Sequence, residues 1–345
     1  MGNLTDQPYK PSLIDRFTRW VANLPIRAWV FYVGFTLILV IVQLIFIWLD
    51  DGLQAVEILP VVVFNSFATP FLLALIHLLD DQAITALDSM KPALAMKKSQ
   101  IKDYCYMLST MPARAALIAG LAMLSVVILI ELASPQLLRY APLEQLPVFA
   151  IVFQIIDKSS AFLFGVFFYH TIRQLLLVNA INSKHVRISL FNTVPLQAFS
   201  RLTASTAVGP AVLIYVWLLI NPELLTNPIS IGFSGAVTVL AVAVFVWPLL
   251  GMHRRMQAEK ESMLHALDLE FETIFSKFNQ GLQDDDQKSI ERLNGTIASL
   301  EIQRNRISAI PTWPWRPETA RFALSAVALP LILSVLRFLV ERAFS

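Results

Sequence analysis

Long apolar runs alternate along this chain with short polar ones, and the runs have the length of a lipid bilayer. A helix needs about 20 mostly apolar residues to cross the hydrocarbon core. Seven stretches meet that requirement: 28–49, 59–79, 114–132, 147–169, 203–220, 231–250 and 322–340. Between the sixth and the seventh the pattern changes. Met263, Leu267, Phe271, Ile274, Phe278 and Leu282 step by threes and fours, the spacing of one helix face. Further on, Ile290, Leu293, Ile297, Leu300 and Ile307 keep heptad spacing, with Arg304 interrupting. "GLQDDDQ" separates the two stripes, so they are expected to fold back on each other and reach roughly 40 Å at 1.5 Å per residue. The pattern predicts an all-α fold, a polytopic transmembrane helix bundle of about seven spans with an inserted cytoplasmic antiparallel coiled-coil hairpin. Four parts follow: a cytoplasmic N-terminal segment (1–27), a six-span membrane domain (28–250), the hairpin (251–310), and an aromatic anchor with the seventh span (311–345).

Composition agrees with a bilayer solvent. The chain is 56% hydrophobic and 15% charged, against about 45–50% and 25% in soluble domains. The Lys and Arg residues set an orientation, because loops rich in them stay on the cytoplasmic side. Of the 27, 23 fall on the N-terminal segment and alternate loops, 3 on the others, and Lys158 lies within a run. The expected topology is therefore N-terminus in and C-terminus out, in a bacterial cytoplasmic (inner) membrane. The N-terminal region does not read as a cleaved secretory signal, since its first apolar run is too long for one. A net charge of +2 without an aromatic-basic patch gives no reason to expect nucleic acid. Cys105 stands alone, so no internal disulfide can form.

Chemistry is sparse. The phosphate-loop, dinucleotide, zinc-protease and nucleophile-elbow patterns do not occur. His77, His170, His185, His253 and His265 are scattered, with no two spaced as a metal pair on one helix face. The seventh run has no Lys to carry retinal. No catalytic residue, metal or cofactor is expected.

Asp157 and Lys158 are the exception, ionisable residues at the middle of the run 147–169. A charge at mid-bilayer costs roughly 2.5–3.5 kcal/mol on insertion scales, so partners are expected. Neighbours in a helix point about 100° apart, so the two are not expected to pair with each other. Gln154, Asn65, Ser66 and Thr69 are instead expected to converge on them as an intramembrane polar cluster, with Ser125 and Thr238 at similar depth. Glu131 and Arg337, near the outer ends of their runs, are expected to pair. Pro70, Pro210 and Pro330 should kink their helices and loosen the carbonyls of Ser66, Thr206 and Ala326.

On the cytoplasmic side, Lys97, Lys98 and Lys102 suit anionic lipid, and the acid-free stretch 159–222 carries His170, Arg173, Lys184, His185, Arg187 and Arg201 as a basic collar. Asp284, Asp285 and Asp286 form the hairpin tip, either a solvated turn or a docking point. Trp313 and Trp315 fit an interface anchor ahead of the last span.

The segments "STMPARAALIAG", "YHTIRQLLLVNAI", "PLQAFSRLTASTAVG" and "IPTWPWRPETARF" resemble those of a family of uncharacterised bacterial polytopic membrane proteins, found especially in Chloroflexi-like genomes. The resemblance runs from about Asp80 to the end. It implies the same layout and adds no activity and no catalytic residue.

Two functions of different class fit these observations. One is a signalling or scaffold protein working through its hairpin. The other is an ion or proton channel or transporter with its path around Asp157 and Lys158. The partners expected are the lipid bilayer, a second copy in a homo-oligomer, and a cytoplasmic protein at the hairpin.

Overall fold

Ser12 opens the first helix with a reciprocal cap. Its Oγ accepts from the Asp15 amide at 3.1 Å, and the Asp15 carboxylate accepts from the Ser12 amide at 2.8 Å. This helix, α1 (Leu13–Ala22), went unanticipated inside the N-terminal segment. In the computed structural model the described residues are 8–51, 58–133, 146–186, 190–191, 195–220, 228–283, 287–315 and 317–344. Among them the fold is helical throughout and contains no strand. The helices after α1 are α2 (Ala28–Asp51), α3 (Leu59–Met90), α4 (Lys98–Leu108), α5 (Ala113–Ala133) and α6 (Pro147–Lys184). Then come α7 (Ser200–Ile220), α8 (Pro228–Gln283), α9 (Gln287–Ser308) and α10 (Pro317–Phe344).

Six of these helices, α2, α3, α5, α6, α7 and α8, are long and apolar enough to cross a membrane. The chain is thus a multi-pass membrane protein by length and composition. The run 322–340 lies in α10, where Ala323 and Val327 are buried and Phe322 and Ile332 are exposed. Burial sorts the six. The apolar window of α3 is 56% buried, against 17% for α2 and 11% for α5. Hence α3 is a central helix and α2 and α5 are outer ones. α2 packs on α3 and α6, α5 on α6, and α7 on α3, α8 and α10.

Small residues allow the closest approach. A side chain at Gly165 of α6 would collide with the backbone carbonyl of Ala119, and one at Gly120 of α5 with the Phe162 ring. The N-terminus of α6 is also held by a neighbour, for the Phe149 amide donates to the Asp50 carboxylate of α2 at 2.8 Å. Two short backbone pairings, Pro11 with Pro112 and Leu94 with Val186, close the opposite end.

α3 and α7 continue through Pro70 and Pro210, and α8 continues through Pro248. The side chain of Pro330 lies outside the described residues. The boundary expected near residue 250 does not interrupt the helix. α8 runs unbroken for 56 residues, about 84 Å at 1.5 Å per residue. α9 lies alongside its far half in the opposite direction. Arg304 Nε donates to Asp268 at 3.0 Å, and Lys260 Nζ to the carbonyls of Ser308 and Ile310 at 2.6 and 2.9 Å. Met263, Leu267, Phe271, Ile274 and Phe278 are half-buried between exposed neighbours, and Leu300 and Ile307 are buried.

Candidate functional site

The charged cluster sits between α5 and α6. Lys158 Nζ lies 2.8 Å from Glu131 Oε2 and 3.0 Å from Asp157 Oδ2. Gln154 Nε2 donates to the other Glu131 oxygen at 3.4 Å. This differs from the sequence expectation in two ways. Asp157 and Lys158 do pair, because the four-carbon lysine stem folds back to its neighbour while its head reaches the next helix. Glu131 takes Lys158 as its partner rather than Arg337, whose side chain lies outside the described residues. Glu131 is two residues from the end of α5. The contact therefore sets Lys158 at the level of that end, not halfway along α5. The cluster is half-open, with side chains 23% (Lys158), 29% (Glu131) and 42% (Asp157) exposed. A groove of ≈ 490 Å³ runs beside it, lined by Ala150, Ile151, Gln154, Ile155 and Lys158.

Asn65, Ser66 and Thr69 belong to a separate, inner cluster. Gln43 of α2 donates to Ser66 Oγ at 2.6 Å, and Asn65 Nδ2 lies 3.4 Å from Gln43 Oε1 and 3.2 Å from the Phe153 carbonyl. Thr69 meets Ser160 of α6 at 2.7 Å. All but Ser160 are buried. Gln43, the one side-chain amide in its apolar run, was the signal that went unused. Ser125 donates to the Leu121 carbonyl of its own helix. α6 thus separates two polar clusters that the sequence suggested were one.

Where the chain re-enters the bundle, four rings stack. His253 lies on Trp313 at 3.9 Å with planes 5° apart, Trp313 on Trp315 at 4.2 Å, and Trp315 on Phe245 at 5.3 Å. His253 Nδ1 is 3.2 Å from the Thr312 carbonyl. The two tryptophans therefore bind the return segment to α8. Just below, Arg255 donates to the carbonyls of Asn182 and Val186 at 2.8 and 2.9 Å, at the end of α6. The acidic tip, 284–286, lies outside the described residues.

The N-terminal segment docks through one residue of the expected basic collar, Arg173. Arg173 donates to the carbonyls of Met107 and Thr110 at 2.5 and 2.6 Å and to the Tyr9 hydroxyl at 2.6 Å. It is thus committed to backbone and is not free for an anion. Tyr106 donates to the Tyr9 carbonyl at 2.7 Å. Asp15 Oδ2 accepts from the Met111 amide at 2.9 Å as well as from Ser12. Burial pushes the Asp15 carboxyl above its usual range, with those two amides opposing and the Asp80 charge adding to the rise. Burial likewise raises Tyr9. Among the described residues, no group of three His, Cys, Asp or Glu side chains could hold a metal.

No family model, curated protein or solved structure matches the chain.

Proposed function

We propose that this is a non-conducting signalling or scaffold protein of a bacterial cytoplasmic membrane, whose working part is a coiled-coil hairpin formed by α9 and the far half of α8. In this reading α10 is a seventh span, the N-terminus and hairpin face the cytoplasm, and the C-terminus lies outside. The carrying observation is the continuity of α8. One helix leads from a membrane-crossing window to an exposed polar rod, so a tilt or rotation at one end reaches the other without a joint. Its root is fixed by Arg255 and the four-ring stack. Leu269, Phe275 and Ile302 are 47–55% exposed, which suits a protein partner better than water alone.

The polar groups of the spans favour this reading over conduction. They are distributed among contacts on different faces of α6, and the groove beside Lys158 is open along the bundle surface rather than enclosed.

The test uses a photoreactive residue at Leu269, Phe275 or Ile302 in intact cells. A discrete cross-link from these sites, lost when Asp284, Asp285 and Asp286 are changed to Ser, is expected. Cross-links to lipid or to nothing refute the hairpin reading. Proton or ion flux in liposomes that Asp157→Asn removes replaces it with the channel reading.

A further inference from the structure

α1 keeps one side for the protein and shows a mixed face to the outside. Ile14, Phe17 and Val21 pack against the core, and Asp15 turns inward to the Ser12 and Met111 amides. Leu13, Arg16 and Trp20, spaced by three and four, form the outer face, with Leu13 75% and Trp20 53% exposed. Arg19 stands beside Trp20, its guanidinium 5.8 Å from the centre of the Tyr106 ring. Water suits an exposed leucine and tryptophan poorly, and hydrocarbon suits guanidinium groups worse. The headgroup layer suits both.

The position of the helix agrees. Trp20 and Phe17 meet the ring of Phe31, in the first turn of α2, edge-on at 5.6 and 6.0 Å. α2 has 24 residues, about 36 Å at 1.5 Å per residue, against a hydrocarbon core of about 30 Å. Its first turn therefore lies within about one turn of the hydrocarbon boundary, and α1 lies beside that turn. Trp29, in the same turn, is 62% exposed and starts a line of exposed apolar residues continued by Val33, Leu37 and Ile41. The outer face of α1 is thus continuous with the lipid-facing side of a span.

Charge names the lipid. Residues 8–49 contain a single acid, the inward-turned Asp15. Arg16, Arg19 and Arg27 are exposed. The Lys10 carbonyl accepts from the Ala113 amide at 3.2 Å, which sets exposed Lys10 close to exposed Arg114. Among the described residues, none of these five cations has a carboxylate within ion-pair distance. A guanidinium fork matches two phosphate oxygens, and a zwitterionic headgroup would leave the excess positive charge unanswered.

We propose that the outer face of α1 binds anionic phospholipid headgroups of the leaflet at which α2 begins. Phosphate sits on Arg16 and Arg19, and Leu13 and Trp20 enter among the upper acyl carbons. The inference makes no use of α8 or α9 and stands apart from the hairpin reading.

A photoreactive residue at Leu13, in the full chain in nanodiscs of equimolar phosphatidylglycerol and phosphatidylcholine, reads which lipid touches this face. The same residue at Ile41, in mid-span, reads the composition of the surrounding bilayer. Cross-links from position 13 are expected to favour phosphatidylglycerol by about threefold or more over those from position 41. The preference should vanish in Arg16→Gln with Arg19→Gln, and in about 1 M salt, where the Debye length falls to about 3 Å. Amide exchange of residues 13–22 should be unchanged by the two substitutions, since neither side chain belongs to the docking side. Lipid cross-links in the same ratio at positions 13 and 41 overturn the proposal, as does a preference that survives both the substitutions and the salt. Cross-links from position 13 to protein alone, or to nothing, place the face away from lipid and overturn it too. Should the double substitution raise the exchange of 13–22, the salt series on the wild-type chain decides.

Discussion

Lys158 serves two carboxylates, so its removal should cost more than the removal of either. At an effective dielectric near 20, unit charges 3 Å apart gain about 5–6 kcal/mol before desolvation and ordering are subtracted. The cluster is part-exposed, which brings the net contribution of each contact down to about 1–2 kcal/mol. Glu131→Gln leaves Lys158 on Asp157 and keeps an amide oxygen to accept from it, so a loss of about 1 kcal/mol is expected. Asp157→Asn should behave alike. Lys158→Met strands both Glu131 and Asp157 against apolar helices and should cost about 2–4 kcal/mol, most of it the penalty of unpaired charge. In the Glu131→Gln background the same lysine change strands only one carboxylate and should cost at least 1 kcal/mol less than in wild type, by roughly the worth of one contact. Reversible unfolding in mixed micelles, run as a double-mutant cycle, measures all four values. If Lys158→Met costs no more than Glu131→Gln, or the coupling is below about 0.5 kcal/mol, the cluster does not hold α5 to α6.

Other contacts give equally direct predictions. Gly165→Ala should destabilise by about 1–3 kcal/mol and exceed Gly120→Ala, because the Ala119 backbone cannot yield whereas the Phe162 ring can turn; thermal unfolding in detergent ranks the two. Arg173→Lys should release the N-terminal segment, since one ammonium cannot reproduce the guanidinium fork that holds Met107, Thr110 and Tyr9. Exchange of residues 13–22 should then rise at every pH. Burial and the nearby Asp88 raise the Cys105 thiol, with Lys91 opposing. Alkylation at pH 8 should therefore be several-fold slower than that of a free cysteine, and should speed up as pH rises further.

The elements that were legible in the sequence are those set by periodicity. The membrane helices are written in unbroken apolar runs, and the stripe from Met263 to Phe278 reappears as a line of half-buried residues between exposed ones. α1 was obscured because Leu13, Arg16 and Trp20 occupy its outer face while Asp15 and Thr18, polar by composition, are buried. Its apolar stripe, Ile14, Phe17 and Val21, is short in a helix of ten residues and shares the inner face with those polar groups. Its cap, Ser12 with Asp15 three positions on, was the available signal. The polar cluster failed for a different reason. Counting residues from the start of each run estimates depth, but it gives neither the rotation of a helix nor its offset from its neighbours. Rotation put Asn65 and Ser66 against Gln43 and left Gln154 facing Glu131. Offset brought Glu131, near the end of one helix, level with Lys158, well inside another. The close approach of α5 to α6 at that offset needs Gly120 and Gly165, since larger residues would meet the Phe162 ring and the Ala119 carbonyl. The placement of charge in this bundle therefore depends on two residues that carry none, and a single added methyl group at Gly165 should move Glu131 away from Lys158 without altering any ionisable side chain.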